Sequence, residues 1–576
     1  MIVTYNDVFK IPILYNEKVQ KLNKNIITDL ELVQTVDCEE TPIYDNVFKP
    51  SNKASSQVLQ QIAKYYTTDV KYLKETQQMT KQINLEELNT IHNKYGFNHF
   101  DINDIISLWD EIHNDNGFCE KYLYINWDFA KQLNNNITFL HLNSLYNIAS
   151  PILSLCLPIM VFIIPFIIIK LKGIELGITQ YIDILKSLIK HHSIFKIFTQ
   201  FNEISNSEKA YLLLSSAFYL FSIYQNILVC IKFYSNMQKI HNYIFKIKNY
   251  LSYSVSLMDY FVSSTNNYNE YKHFNNDIVK YKHSLSCLLC ELSKITPFTF
   301  SFSKIFEIGD IMYNFYQIYD NIEYHRAVYY SFGFNGYMNT LYSTTTNINE
   351  TKLVKTSYTN KGKPRFKNMY YPKFINNDPS SIIKNNCNLS KNIIITGPNA
   401  SGKTTTLKTI LINIILSQQI GYGCFEQLKL TPFDKLHSYL NIPDTSGRDS
   451  LFQAEARRCK EIIDCINEDV QKTHFCIFDE LYSGTNPEEA IISANAFMNY
   501  IVSNKNVSCI LTTHYIKLCK KLSKNDIVKN YNMKTIKTLD NFEYTYKLKK
   551  GISDVKGGLK VLQDMKYPKE LLNFTK

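Results

Sequence analysis

Between Ser51 and Ile91 the chain has no Pro or Gly, and its apolar residues recur three and four positions apart, the spacing of one helix face. The same period returns over Phe233–Tyr330, interrupted near Thr265–Asn269 and at Pro297. Two segments between these stretches abandon alternation. From Gln132 to Ile169 there is no Asp, Glu, Lys or Arg, and the end of this segment, SPILSLCLPIMVFIIPFIII, is almost wholly apolar. Ala210–Ile231 is a second uncharged stretch, set between Glu208–Lys209 and Lys232. About 20 apolar residues cross the ~30 Å hydrocarbon core as a helix, and prolines such as Pro158 and Pro165 are tolerated better there than in a soluble helix. The pattern predicts two membrane helices, 148–169 and 210–231, in an apolar hairpin 148–232. A buried hairpin in a soluble core is the rival, strongest for the second segment with its Ser215, Ser216, Ser222, Gln225 and Asn226.

Past a polar, basic stretch (347–369, ending TNKGKPRFKNM) the pattern switches to short β-branched runs alternating with helical ones, the sign of a parallel sheet flanked by helices. The expected fold class is therefore α + α/β. Its parts are an N-terminal segment 1–50, a helical part 51–147, the hairpin 148–232, a second helical part 233–346, a basic linker 347–369 and an α/β domain 370–576. No repeat at solenoid periods is visible. The N-terminus lacks the charged-then-apolar layout of a signal peptide.

Net charge over the 576 residues is +11, which invites a nucleic-acid partner until it is divided by region. Met1–Ser150 nets −6, Pro151–Tyr250 +6, Leu251–Glu350 −3 and Thr351–Lys576 +14. The thirteen cysteines are scattered, often in apolar runs as at Cys476 and Cys509, which suits reduced, buried thiols rather than a disulfide framework. The single CxxC, Cys287 and Cys290, has no second pair for zinc and is expected on a helical core face.

Candidate chemistry lies in the last third. Ile393-Ile394-Ile395-Thr396 feeds Gly397-Pro398-Asn399-Ala400-Ser401-Gly402-Lys403-Thr404, a GxxxxGKT between a strand and a helix (Thr405–Leu416). Gly397 and Gly402 let the backbone curl so that its N–H groups surround phosphate oxygens, with Thr405 opening the helix. Lys403 is expected to reach the β- and γ-phosphates of ATP, and Thr404 to ligate Mg²⁺. Phe475-Cys476-Ile477-Phe478-Asp479-Glu480 ends an apolar strand in two carboxylates: Asp479 for Mg²⁺, Glu480 to polarise the attacking water. A third strand, Val507–Thr513, ends at His514, a candidate sensor of the γ-phosphate.

At these residues the chain resembles the MutS family of ATPases. ITGPNASGKTTTLKTI is similar to that family's phosphate loop, FCIFDELYSGTNPEEA to its Walker B and GT-containing loop, and LTTHY to its switch histidine. SGRDSLFQAEARR (Ser446–Arg458) resembles the signature in which a serine contacts ATP of the opposite subunit. That role falls by position on Ser450, in Ser450-Leu451-Phe452-Gln453-Ala454-Glu455, although Asp449 makes the segment one residue longer than the usual spacing. Ile382-Ile383-Lys384-Asn385 stands where the family has F-I-x-N, and Tyr371-Pro372 where it has His-Pro. The tail, LKKGISDVKGGLKVLQDMKYPKELL, is similar to the family's C-terminal helix. The resemblance implies a P-loop NTPase (ABC-like) sheet domain, helical levers, ATP with Mg²⁺ as cofactors, and a homodimer with two composite sites.

Departures from the family's repair members shape the functional expectation. Gly117-Phe118-Cys119-Glu120 fits the letters of the Phe-x-Glu mismatch wedge but lies just before the apolar segment, with no room for the domain around it. The helical regions that would clamp DNA are acidic, against the rule that phosphate contacts dominate affinity. The chain therefore reads as a membrane-attached, multi-pass ATPase with its ATPase domain on the cytosolic side, resembling MutS-like proteins with membrane segments ahead of that domain. Alternatives are a soluble cytoplasmic or nuclear mismatch-repair or recombination clamp on DNA, and an ATP-gated scaffold for a partner protein.

Overall fold

The computed structural model describes residues 8–97, 100–114, 117–173, 177–191, 205–299, 302–440, 442, 450–537, 542–553, 555 and 565–567. Most of the family-like tail, and residues 446–449 of the signature segment, lie outside these. The chain divides into two compact units. Met1–Asn103, Tyr253–His283 and Arg326–Lys576 form the first, and Asp104–Ser252 with Ser284–His325 the second.

The first unit is organised by a sheet built from β1 (Asn392–Thr396), then α1 (Lys403–Gln419), β2 (Lys435–Tyr439), α2 (Leu451–Glu468), β3 (His474–Asp479), α3 (Pro487–Ser503), β4 (Val507–Thr513), α4 (Ile516–Leu522), β5 (Val528–Lys537) and β6 (Phe542–Lys550). The strand order is β2-β3-β4-β1-β5-β6. Every neighbouring pair is parallel except β5–β6. Every residue of β1 and β4 is buried, as helices on both faces require, and such strands read as unbroken apolar runs rather than alternation. On one face Ile394, Phe478, Cys509 and Leu511 share a cluster with Ala490, Ala494, Phe497 and Ile501 of α3. Cys476 and Cys509 are buried here and burial raises both thiols, in line with their reading as inert.

Residues 62–67 pack on α1. The Gln418 and Gln419 side-chain amides donate to the carbonyls of Thr67 (3.2 Å), Ile62 (2.7 Å) and Tyr65 (2.9 Å). The helical period over 51–91 resolves into three helices, Lys53–Ile62, Val70–Gln82 and Leu85–Tyr95, each opened by a side-chain cap from Asn52, Asp69 or Asn84. The stretch 347–369 contributes Ser357–Tyr358 and Arg365–Met369 to a four-stranded sheet with Gln427–Leu430 and Asn385–Asn388.

In the second unit a helix Ile137–Leu171 runs unbroken through Pro151, Pro158 and Pro165. The helix Phe302–Asp320 lies so close that a Cβ on Gly309 would come within 2.8 Å of His141 Cβ and 3.0 Å of the Ile137 carbonyl. The 60-residue helix Asn206–Thr265 touches the first through Tyr219, whose hydroxyl donates to the Ser154 and Leu155 carbonyls at 3.2 and 3.1 Å. Among the described residues one helix, Lys209–Thr265, is long and apolar enough to cross a membrane, against the two spans the residue pattern predicts; a two-helix membrane hairpin is not established by this fold.

One further expectation is corrected, and the reading of Gly117–Glu120 as a chance match agrees with the packing. Cys287 and Cys290 lie on the exposed side of Lys272–Ser293, not on its core face. Phe118 is buried and stacks on Tyr319 with ring centroids 3.8 Å apart, so the Phe-x-Glu letters mark a core aromatic and not a wedge.

Candidate functional site

The predicted nucleotide residues converge at the C-terminal edge of the parallel strands, where ligands bind in open α/β sheets. The loop 397–402 leaves β1 and turns into α1 through Gly402, at φ +90°. A Cβ on Gly397 would meet Ser401 Oγ at 2.8 Å and Met533 Cβ at 3.0 Å, so glycine is required there by close approach. Ala400 takes a left-handed backbone at φ +62°. The Lys403 side chain, 6% exposed, bends back over the loop, its ammonium donating to the carbonyls of Gly397 (3.1 Å) and Pro398 (3.2 Å).

From β3 come the two carboxylates. Asp479 accepts from the Thr404 hydroxyl at 2.7 Å and, through its other oxygen, from Thr512. The register explains this, since Asp479 sits directly beside Thr512 on β4 and Thr513 beside Thr396 on β1. Glu480 leaves the strand at φ +48°, a strained conformation for a non-glycine residue. Its carboxylate lies 3.5 Å from Lys403 Nζ and 3.6 Å from His514 Nδ1. The His514 contact is longer than a full hydrogen bond, yet its pull is the largest. With Lys403 it holds the Glu480 carboxyl below the usual range, against the opposing effect of burial.

Ser450 is the N-cap of α2. Its hydroxyl accepts from Gln453 N at 3.3 Å while the Gln453 side chain returns to Ser450 N at 3.0 Å, a complete capping box. One turn later Glu455, 2% exposed, accepts from Ser483 N (3.0 Å), Ser483 Oγ (2.8 Å) and Gly484 N (3.2 Å). The loop after the Walker B strand is thus tied to α2, and Gly484 leaves no room for a Cβ, which would lie 2.7 Å from Leu451 Cγ. Sequence reasoning quoted Glu455 only as the last letter of a pattern, and did not assign it this positioning role.

These groups open on a cavity of about 780 Å³, lined on its phosphate side by 399–406, Asp479 and Glu480 and beyond by Tyr371, Phe374, Ile382, Ile383 and Tyr546. Ile382 stands where an aromatic was expected, but Phe374 and Tyr371, edge to face at 5.6 Å, supply aromatic surface on that wall. Phe374 and Tyr546 carry no motif and were not foreseen; the proximity of Phe374 to Tyr371-Pro372 was the one signal for it. The residues fit ATP and Mg²⁺. Ser401 Oγ is buried in the loop with no hydrogen-bond partner, and the Thr404 hydroxyl and Asp479 carboxylate are paired hard-oxygen donors of the kind Mg²⁺ takes.

Residues 393–576 match the family model MutS domain V. The chain is 31% identical over 211 residues to a DNA mismatch repair protein MutS of Orientia tsutsugamushi (strain Ikeda), covering 35% of this chain and 23% of that one. It is 28% identical over 207 residues to a DNA mismatch repair protein MutS of Bacillus licheniformis, covering 34% and 23%. A DNA mismatch repair protein MutS of Fusobacterium nucleatum subsp. nucleatum matches at 29% over 202 residues, covering 35% and 21%. The chain thus spans less than a quarter of the length of these relatives. Residues 393–576, with the phosphate loop, Asp479–Glu480 and His514 at one sheet edge, thus carry a MutS domain V, and over this part the chain is similar to MutS proteins.

Proposed function

We propose that the protein hydrolyses ATP to ADP and phosphate at this sheet edge and converts the cycle into movement of its helical parts. The observation that carries the reading is the meeting of Lys403, Thr404, Asp479 and Glu480 at the mouth of one phosphate loop. Lys403 would turn from the loop carbonyls to the β- and γ-phosphates, and Thr404 and Asp479 would hold Mg²⁺. Bound there, Mg²⁺ supplies neutralisation of charge on the phosphate oxygens. Glu480, kept ionised by His514 and Lys403, takes the proton of the attacking water, and His514 orients that carboxylate. Glu480→Gln should leave ATP binding intact and cut phosphate release by about 10²–10⁴-fold. Normal turnover in that variant would remove the general-base role. Lys403→Ala should abolish binding of a fluorescent ATP analogue, and unchanged binding would sink the site.

The dimer belongs to the same reading. Ser450 is exposed at the start of an 18-residue helix, where backbone N–H groups favour an anion such as a partner's γ-phosphate. That placement supports a homodimer with two composite sites.

We further propose membrane attachment of the second unit. Ile152, Leu155, Ile167 and Leu171 on one helix, with Leu214, Phe218, Phe221 and Ile231 on the other, are exposed apolar side chains in numbers that water does not favour. The ATPase domain would then face the cytosol, where ATP is. Carbonate extraction of membranes should leave the chain in the pellet, and release into the supernatant would refute attachment. The names of the relatives favour a second reading, a soluble clamp on mismatched DNA. It predicts retardation of mismatched over matched duplex at physiological salt, and the acidic charge of Met1–Ser150 and Leu251–Glu350 argues against it.

A further inference from the structure

A second cluster of chemistry-bearing side chains lies in the first unit, on the β2 edge of the sheet. His437 stands on β2, His474 opens β3, and Cys465 comes from α2. The register places His437 beside Cys476, so His474, two residues earlier, projects to the same face of the sheet. One nitrogen of each ring and the Cys465 sulfur all lie within 4.8 Å of one another. His437 Nε2 and His474 Nδ1 are 3.1 Å apart, with the rings nearly parallel.

Hydrogen bonding orients these donors. His474 Nε2 lies 3.2 Å from the Asp469 carbonyl, which can only accept, so this nitrogen carries the ring's proton. His474 Nδ1 is then a lone pair aimed into the cluster. A backbone carbonyl behind a ligating histidine is the outer contact that fixes such a ring towards a metal. His437 Nε2 faces that lone pair and donates its proton to it. With that proton moved to Nδ1, the same geometry offers two imidazole lone pairs and a sulfur.

We propose that His437, His474 and Cys465 form a binding site for a divalent cation of the zinc class. Two imidazoles and a thiolate are donors that zinc takes and that Mg²⁺ does not. Bonds of roughly 2.1 Å to nitrogen and 2.3 Å to sulfur put ligand atoms about 3.4–3.7 Å apart, so the cluster closes by rotation of side chains without backbone movement. The fourth position opens on a cavity of about 370 Å³, bordered by His437, Cys465, Lys435, Arg458 and Glu461. Glu461 is one turn before Cys465 on α2 and supplies a carboxylate or a carboxylate-held water. Lys435 and Arg458 oppose a cation. The Cys465 proton passes to solvent on binding, and the thiolate formed offsets part of that repulsion. Occupied, the site ties α2, whose N-cap is Ser450, to the edge of the sheet.

The test uses the full-length chain, stripped with a chelator and titrated with Zn²⁺ or Co²⁺ alone. Wild type should take up one zinc per chain, keep it against a chromophoric chelator of micromolar affinity, and show sulfur-to-cobalt charge transfer with Co²⁺. Cys465→Ser and His437→Gln should each weaken binding at least tenfold, whereas Cys38→Ser and Lys403→Ala should not. Uptake unchanged in both cluster variants would overturn the site. If those variants do not fold, the wild-type cobalt spectrum decides alone. A spectrum without sulfur charge transfer leaves only an imidazole–imidazole hydrogen bond and refutes the proposal.

Discussion

Glu455 shows how a single residue links the two halves of the proposed ATP site. Its buried carboxylate takes three hydrogen bonds from Ser483 and Gly484, the first residues of the loop that follows Glu480, Leu481 and Tyr482. Glu480 and Tyr482 both have positive φ, at +48° and +58°, so the turn carries strain that something must hold. Removing the carboxylate breaks three charge-assisted hydrogen bonds to Ser483 and Gly484, which lie at the surface where water can take over part of them, a loss of about 1–2 kcal/mol. Glu455→Ala should therefore lower the unfolding free energy by that amount and cut turnover more than ATP affinity, because the loop aims Glu480 while the phosphate loop binds nucleotide independently. Glu455→Gln keeps acceptors for part of the set and should recover most of the stability. A Glu455→Ala protein with wild-type kcat would show that the strained turn stands without it. The pattern ending in Glu455 was legible in the sequence, but its function was not, because its partners lie on another element and are backbone groups, which leave no letter.

At the scale of elements, the α/β half was legible because its signals are local. A fully buried strand, a glycine turn and a helix follow one another within β1, the loop and α1, and each is specified by its own residues. Long-range pairing left no such trace. The three strands within 347–369 pair with 422–423, 427–430 and 385–388, and the zinc-class cluster draws on β2, α2 and β3. The long helix was only half legible: composition announced the apolar stretch 210–231 and periodicity the helical one from Phe233 to the break near Thr265, but not that they form one unbroken helix, Asn206–Thr265. Helix α2 offers an element-scale test that separates two roles of Ser450. As N-cap it is worth about 1 kcal/mol, and as a contact to the partner's nucleotide it acts on turnover. Ser450→Ala removes both. Ser450→Asp restores a good cap but sets a negative charge where the partner's γ-phosphate would come. The expected result is a thermal midpoint equal to wild type with turnover as low as in Ser450→Ala. Full activity in Ser450→Asp would leave the serine as a helix cap alone.

Across the whole molecule the charge that first suggested nucleic acid falls in residues 351–576 and 151–250, and histidines that are buried or half-buried give the chain a shared sensitivity to acid. In the first unit, burial and then His474 push His437 down to about 3, and burial lowers His474. In the second, burial and then His113 push His325 down to about 4, and burial lowers His113, which stacks on Trp109 with centroids 4.7 Å apart. Each is held neutral in the fold and titrates near 6.5 once unfolded. Below that pH the unfolded chain binds more protons than the folded one, so stability rises with pH across this window and is lost as pH falls from about 6.5 towards 4. Salt-bridged carboxylates such as Glu307 and Glu480 have depressed values, and they add their loss only further down, as pH falls through the folded carboxyl range. The thermal midpoint of the metal-free, full-length chain should therefore drop from pH 7 to pH 5, above the range in which Glu307 and Glu480 protonate, with carboxyls that burial raises, such as Asp29 and Asp45, offsetting part of the fall. His325→Phe replaces one half-buried imidazole with a ring that cannot charge, and should flatten part of that slope while leaving the pH 7 midpoint within a few degrees of wild type. A midpoint independent of pH over this interval would mean that the histidines reach water in the native state, and that the packing of His113 against Trp109 is looser than these contacts describe.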